Sequence, residues 1–391
     1  MKSFFACLIC LALLFGLVSP ASNAFAETHR PSSGEKEGAV KSAIVIEEET
    51  GKILYKKNAN KELPPASMTK IMTLLLIFKA LSHHQISLKD KVSVSEYAAS
   101  MGGSQVFLEP GETMTVDEML RAIAIASGND ASVAMAEYVS GSSKAFVRQM
   151  NEEAKALGLT HTHFENPTGL PVKNHYTTAH DMAVMAQALA RYQRVFNYTS
   201  KYEDYLRENT DKKFWLVNTN KLIKTYPGAD GMKTGFTNEA KYCLTGTAKR
   251  NGMRVIAVVM GARTPKERNK EVASLMDQAF ASYTIKELAK KDKLMASEKV
   301  EKGDVSHVPL VTGRPVVLLL KKGENANGMK KTIEMKGKLK APIKAGTTAG
   351  YLIIKKKGKM LSKTPLIVKQ RVDRASWWQL LKRSAGTILT H

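Results

Sequence analysis

Apolar and polar positions divide the chain into a strand-rich start, a helical middle and a strand-rich end. A nearly continuous apolar run, residues 4–18, follows Lys2 at the very start. It is shorter than the roughly 20 residues that a membrane-spanning helix needs. Ala24-Phe25-Ala26 then puts small residues where a signal peptidase reads, so residues 1–26 read as a leader cleaved before Glu27. Residues 27–38 are polar and charged and read as a flexible lead-in. Ala43-Ile44-Val45-Ile46 and Ile53-Leu54-Tyr55, on either side of Thr50-Gly51-Lys52, predict a hairpin. After Pro64-Pro65, residues 68–81 are mostly apolar with neither Gly nor Pro, which predicts a buried helix.

The helical texture returns over residues 96–141, with helices expected at 116–126 and 131–139. Ser127-Gly128-Asn129-Asp130 is turn chemistry between them. Residues 143–157 and 178–192 predict amphipathic helices, the second opened by a Thr-Thr capping signal. Residues 242–248 and 253–260 predict adjacent strands joined at Arg250-Asn251-Gly252, and 266–289 a closing helix. The pattern predicts an α+β catalytic domain over 39–290, with the first hairpin and the late strands in one antiparallel sheet. Beyond it, short strands at 316–320, 332–335, 351–354 and 364–368, separated by Gly, Pro and Lys, predict a small all-β domain over 291–372. Residues 373–391 carry Trp377, Trp378, Leu381, Ala385 and Ile388 at near-helical spacing, an amphipathic helix.

Composition narrows the setting. With 391 residues, 43% of them hydrophobic, the chain has material for more than one core. Cys7 and Cys10 leave with the leader, so Cys243 stands alone and no internal disulfide is expected. Within Tyr242-Cys243-Leu244-Thr245 it reads as a buried, inert thiol in a strand. The formal net charge is +23, and 25 Lys and Arg face 8 Asp and Glu from Lys286 onward. Such a field favours acidic lipid headgroups or anionic wall polymers. Export argues against nucleic acid.

Three motifs hold candidate chemistry. In Ser67-Met68-Thr69-Lys70, a three-residue offset on a helix puts a hydroxyl and an amine on one face. A serine is a poor nucleophile until a base takes its proton, and a lysine serves when burial and nearby positive charge lower its pKa. In Ser127-Gly128-Asn129, the hydroxyl is placed to relay a proton, and the amide to hold a substrate peptide group or orient the lysine. In Lys233-Thr234-Gly235, expected at the edge of the late sheet, a charge and a hydroxyl suit a terminal carboxylate, and glycine permits close approach. A substrate there would pair along the edge like an added strand. The order and spacing of the three are those of penicillin-binding proteins and serine β-lactamases.

With Pro65-Ala66 before the first motif, Ser100-Met101-Gly102-Gly103-Ser104, Ile125-Ala126 before the second and Asp230-Gly231-Met232 before the third, the mature chain resembles the low-molecular-mass D-alanyl-D-alanine carboxypeptidases. These are the penicillin-binding protein 5-like enzymes of peptidase family S11. Tyr202-Glu203-Asp204-Tyr205-Leu206 and Asn218-Thr219-Asn220 are most similar to sporulation-associated members.

The resemblance implies a penicillin-binding, β-lactamase-like transpeptidase domain, a small β-rich domain and a C-terminal helix on an anionic membrane surface. It implies that Ser67 forms an acyl-ester with the penultimate D-Ala of a peptidoglycan stem peptide, with Lys70 as proton acceptor. Ser127 and Asn129 would form one wall, Lys233, Thr234 and Gly235 the carboxylate side, and the backbone N–H groups of Ser67 and Phe236 the oxyanion site. Phe236 stands where the family varies. β-Lactam antibiotics would acylate the same serine, and no cofactor is implied.

Two rivals are weighed against this. A β-lactamase fits less well, because Ser-Gly-Asn stands in place of Ser-Asp-Asn and a long basic region follows. A zinc peptidase would need a ligand run that His161, His163, His175 and His180-Asp181 do not form, and these read as surface or loop histidines. A wall-binding protein without activity has only the basic C-terminal region to support it.

Overall fold

The computed structural model describes residues 39–379, within which five antiparallel strands form one sheet. The leader, the lead-in and residues 380–391 of the expected C-terminal helix lie outside the described residues. The hairpin strands are β1 (Ser42–Glu47) and β2 (Ile53–Lys57). The helices that follow are α1 (Lys70–Ser82), α2 (Val116–Ala124), α3 (Asn129–Ser140), α4 (Ser143–Ala156) and α5 (Ala179–Ala190). The late strands are β3 (Ala229–Thr237), β4 (Lys241–Arg250) and β5 (Met253–Ala262), and α6 (Pro265–Ser282) comes after them. Sheet order is β2-β1-β5-β4-β3, so the hairpin joins the late strands as expected and β3 is an edge.

Strand β5 is buried at every position. Alternate side chains of a strand point to opposite faces, and here both faces are covered. Ile256, Val258 and Met260 join the core that includes Ile71, Leu75 and Met182 of α1 and α5. Val255, Ala257 and Val259 join a second core with Val272, Leu275 and Met276 of α6. Helix α1 is wrapped by the first core, which is why its apolar residues show no single stripe. Local signals set the helix starts. Thr115 and Glu118 form a capping box ahead of α2, and the Thr178 hydroxyl accepts from the Asp181 N–H ahead of α5.

The closing helix is shorter than its pattern predicts. It stops at Ser282, and residues 283–289, expected as helix, form strand β6 (Tyr283–Ala289). This strand pairs antiparallel with β7 (Val316–Lys321). Tyr283 and Ile285 pack on the core around α6, whereas Leu288 and Ala289 pack on a third core built from the C-terminal strands. Tertiary pairing overrides local helix preference here. By pairing, the second part of the chain therefore begins at Tyr283, ahead of the expected join at 290.

That second part is all-β, as predicted, with a six-stranded sheet besides the β6–β7 pair. Its strands at Leu294–Glu301 and His307–Thr312 are additions to the expected set. So is the hairpin of Glu203–Leu206 with Phe214–Val217 in the first part. Mixed charged and apolar residues blur the alternation in each.

Candidate active site

The first motif sits on a tight turn wedged against the edge strand. Ala66–Thr69 is a short 3-10 turn running into α1. Ala66 has φ +48°, a left-handed conformation unfavourable for an L-residue. Two contacts hold it. The Thr69 hydroxyl donates to the Ala66 carbonyl at 2.8 Å. Gly169, at φ +84°, lies so close that a Cβ there would fall 1.8 Å from the Ala66 oxygen. Loop 166–170 was not singled out by sequence. Its signal is Asn166-Pro167-Thr168-Gly169, in which the Asn166 side chain accepts from the Thr168 and Gly169 N–H groups.

Lys70, fully buried, begins α1 and places its Nζ 3.2 Å from the Ser67 Oγ. The same nitrogen donates to Asn129 Oδ1 at 2.6 Å and to the Thr168 carbonyl at 2.8 Å. Both of those partners are carbonyl oxygens and can only accept. When the amine is neutral its two N–H bonds stay on them, and the lone pair is left facing the serine hydroxyl. Burial, with the nearby charge of Lys233, drives the Lys70 pKa well below its usual value, against a smaller opposing pull from Asp130. The expected base is thus built from one side chain and two fixed acceptors.

The second motif supplies one of those acceptors. Ser127, at φ +65°, turns the chain so that α3 starts at Asn129. The Asn129 amide is held in its orientation because Nδ2 donates to the Gly102 carbonyl at 2.6 Å, which leaves Oδ1 toward Lys70. Asp130, expected only as a turn residue, pins the loop opposite by accepting from the Val106 and Leu108 N–H groups. Ser127 is buried, and its Oγ has no hydrogen-bond partner among the described residues. A buried hydroxyl without a partner is costly, and one beside a reacting centre is free to handle a proton.

The third motif lies on β3 as expected. Lys233 is buried, and burial followed by the neighbouring Arg268 charge pushes its pKa down to about 7. Its Nζ donates to the Thr234 carbonyl at 3.1 Å. The Thr234 hydroxyl donates to Thr219 Oγ1 at 2.7 Å. Thr219 had been noticed only for resemblance. Its backbone N–H donates to Ile125 O, and Asn220 Nδ2 donates to Gly231 O, so this loop ties the second motif to the third. A Cβ on Gly235 would lie 2.8 Å from the Pro65 oxygen and 3.2 Å from the Met68 nitrogen, so glycine lets the edge strand touch the nucleophile turn. The Phe236 side chain is exposed and stacks on Tyr242 at 4.4 Å between ring centroids.

One histidine departs from expectation. His161, His163 and His180 are partly exposed and lie beside Glu62, Glu165 and Asp181. His175 is buried under the nucleophile turn. Because Thr69 Oγ1 donates to Ala66, it must accept from His175 Nε2–H, at 2.9 Å. Nδ1 in turn accepts from the Glu165 N–H at 3.2 Å. Both ring nitrogens are matched only in the neutral form, and burial, with a smaller effect from His163, lowers the pKa to about 4 from 6.5.

The unfolded chain therefore binds the proton first as pH falls. Stability contributed by neutral His175 is complete above about pH 6.5 and is lost between there and about pH 4, amounting to roughly 3 kcal/mol. His175→Gln should flatten the fall in melting temperature across that window. An unchanged slope would remove His175 as its cause. Cys243 is buried, its thiol pushed up to about 11, so it is inert as expected.

Comparison with known proteins gives the same picture over the whole chain. Residues 27–264 match the family described as D-alanyl-D-alanine carboxypeptidase, Peptidase S11, and residues 283–374 match the C-terminal domain of penicillin-binding protein 5. The chain is 54% identical to D-alanyl-D-alanine carboxypeptidase DacF of Bacillus subtilis, covering 96% of this chain and 97% of that one. It is 34% identical to D-alanyl-D-alanine carboxypeptidase DacA of Escherichia coli, covering 86% and 84%. Among solved structures, penicillin binding protein 5 from Haemophilus influenzae superposes with a TM-score of 0.68 at 29% identity, covering 86% of this chain and 98% of that one.

Proposed function

The chain belongs to the D-alanyl-D-alanine carboxypeptidase family of penicillin-binding proteins and has that activity, and we propose that Ser67 is its acyl-carrying nucleophile. The observation that carries this assignment is the Lys70 amine, buried and held by two carbonyls with its third direction on Ser67 Oγ.

Neutral Lys70 takes the Ser67 proton as Oγ attacks the carbonyl carbon of the penultimate D-Ala. The carbonyl oxygen becomes an oxyanion, held by the backbone N–H groups of Ser67 and Phe236. As the peptide C–N bond breaks, the departing D-Ala amine receives a proton from Lys70, relayed by the Ser127 hydroxyl. Asn129 keeps the lysine oriented. Lys233 and Thr234 pair with the terminal carboxylate, and Gly235 lets the substrate lie along β3. Water then attacks the ester, giving a proton to Lys70, and the ester C–O bond breaks to restore Ser67. Loss of the terminal D-Ala removes a donor for cross-linking. Penicillins acylate the same oxygen because their acyl group copies the dipeptide end.

Intact-mass measurement after incubation with benzylpenicillin, followed by peptide mapping, tests the assignment. One acyl adduct on Ser67 is expected. An adduct on any other residue overturns it.

We place the enzyme outside the cytoplasmic membrane, on the leader pattern of residues 1–26 and the wall substrate of its relatives. Attachment by the C-terminal helix is supported by its first turn, where the Ser376 hydroxyl accepts from the Gln379 N–H beside exposed Trp377 and Trp378. Indole rings suit the interface, and Lys382 and Arg383 suit anionic headgroups. We propose sporulation as the developmental setting, on Tyr202-Glu203-Asp204-Tyr205-Leu206 and Asn218-Thr219-Asn220 alone.

A further inference from the structure

Beyond the nucleophile turn lies a cavity of about 260 Å³ that the reaction itself does not use. Ala66 and Gly169 form its wall toward Ser67, and Thr237 its wall on the edge strand. Leu63, Val172 and Tyr176 give it apolar sides, and the carboxylates of Glu62 and Glu239 border it. Glu62 is shared with His161 at 3.0 Å. Glu239 has no ion pair among the described residues. No lysine or arginine lines the cavity, and its one buried histidine, His175, is the neutral partner of Thr69.

Direction along β3 says which part of a substrate reaches this place. Lys233 stands toward one end of the site and Ser67 meets the strand at Gly235. A peptide with its terminal carboxylate at Lys233 and its scissile carbonyl at Ser67 continues toward Thr237. An extended chain advances about 3.3 Å per residue, so the residue before D-Ala-D-Ala arrives at the cavity mouth. There the sign of the field reverses, from the cationic Lys233 end to the anionic Glu62 and Glu239 end. A ligand with a carboxylate at one end and an amine on the side chain two residues upstream matches both signs. Shifting such a peptide by one residue breaks both matches, so the pair of charges also fixes register.

We infer that this cavity is a specificity subsite for the side-chain amine of a diamino acid immediately preceding D-Ala-D-Ala, with Glu239 and Glu62 as its anionic contacts. The inference rests on the carboxylate-binding role proposed above for Lys233 and Thr234. An apolar wall receives the methylene stem while the ammonium reaches the carboxylates at the rim.

The test compares kcat/KM for Nα-acetyl-L-lysyl-D-Ala-D-Ala with that for its Nα,Nε-diacetyl counterpart, whose side chain is neutral. The native enzyme should prefer the free amine roughly fivefold, the upper range for a solvent-accessible ion pair. Glu239→Gln should reduce that ratio, Glu62→Gln should reduce it less because His161 already shares the carboxylate, and Glu239→Lys should invert it. Each ratio is taken within one preparation, so any loss of folded protein cancels. A native ratio near one, or a ratio unmoved by Glu239→Lys, overturns the subsite. Were the native enzyme to lack a Ser67 adduct with penicillin, the underlying reading would fail instead, and the two failures are told apart by that measurement.

Discussion

Replacing Lys70 with glutamine is expected to slow acylation of Ser67 by penicillin roughly 10²- to 10⁴-fold, the range associated with loss of a positioned general base. Glutamine offers an amide N–H to Asn129 Oδ1 or Thr168 O but no lone pair of lysine basicity to the serine hydroxyl. One of those buried carbonyls loses its donor, so a stability loss of about 1–3 kcal/mol should accompany the change. Rates measured on the folded fraction separate the two effects. The native enzyme adds a check by pH. Acylation requires neutral Lys70, so its rate should rise with pH and level off well below the 10.5 of an ordinary lysine, because burial and the Lys233 charge favour the neutral amine. A Lys70→Gln variant acylating within tenfold of the native rate would mean that the proton goes elsewhere.

Gly169→Ala should damage both fold and reaction from a position that touches no substrate. Its Cβ would fall 1.8 Å from the Ala66 oxygen and 2.8 Å from Thr69 Oγ1, and the backbone there has φ +84°. The turn bearing Ser67 must shift by about 1 Å or more, and a displacement of that size costs on the order of 100-fold in rate. Left-handed strain and the clash together should lower stability by roughly 2–4 kcal/mol. Gly158→Ala is the control, since it has φ +75° but nothing within 4 Å of the added carbon. It should cost only the backbone strain, about 1–2 kcal/mol, and leave acylation alone. If Gly169→Ala behaved like Gly158→Ala, close packing of loop 166–170 would not be what holds the nucleophile.

The two parts of this chemistry were not equally visible beforehand. Ser67 and Lys70 are legible in sequence because a helical offset of three forces them together whatever surrounds them. Gly235 was legible as a position for close approach, but what approaches it, the Pro65–Met68 turn, was not. Asn129 was left with two roles, holding substrate or orienting the lysine. The bond from Lys70 favours the second, through a Gly102 carbonyl that lies 27 residues away along the chain. Thr168, Gly169, His175 and Thr219 were missed as parts of the site. Each acts through contacts across long sequence separations, such as Lys70 to Thr168 over 98 residues and Thr69 to His175 over 106.

By itself, then, the order of residues determined the helical and strand segments of the catalytic part, the pairing of the first hairpin with the late strands, and the three motifs with their chemical types. Periodicity, capping and turn chemistry are local, and a motif at fixed offset is local too. The tertiary structure alone decided where the closing helix stops, because Tyr283 and Ile285 gain more by pairing with Val316–Lys321 and packing on a neighbouring core than by another helical turn. It also decided which form of Lys70 is favoured. A lysine's charge depends on what surrounds it, and here the surroundings are two distant carbonyls, a second buried lysine and a glycine loop that keeps Ser67 within reach.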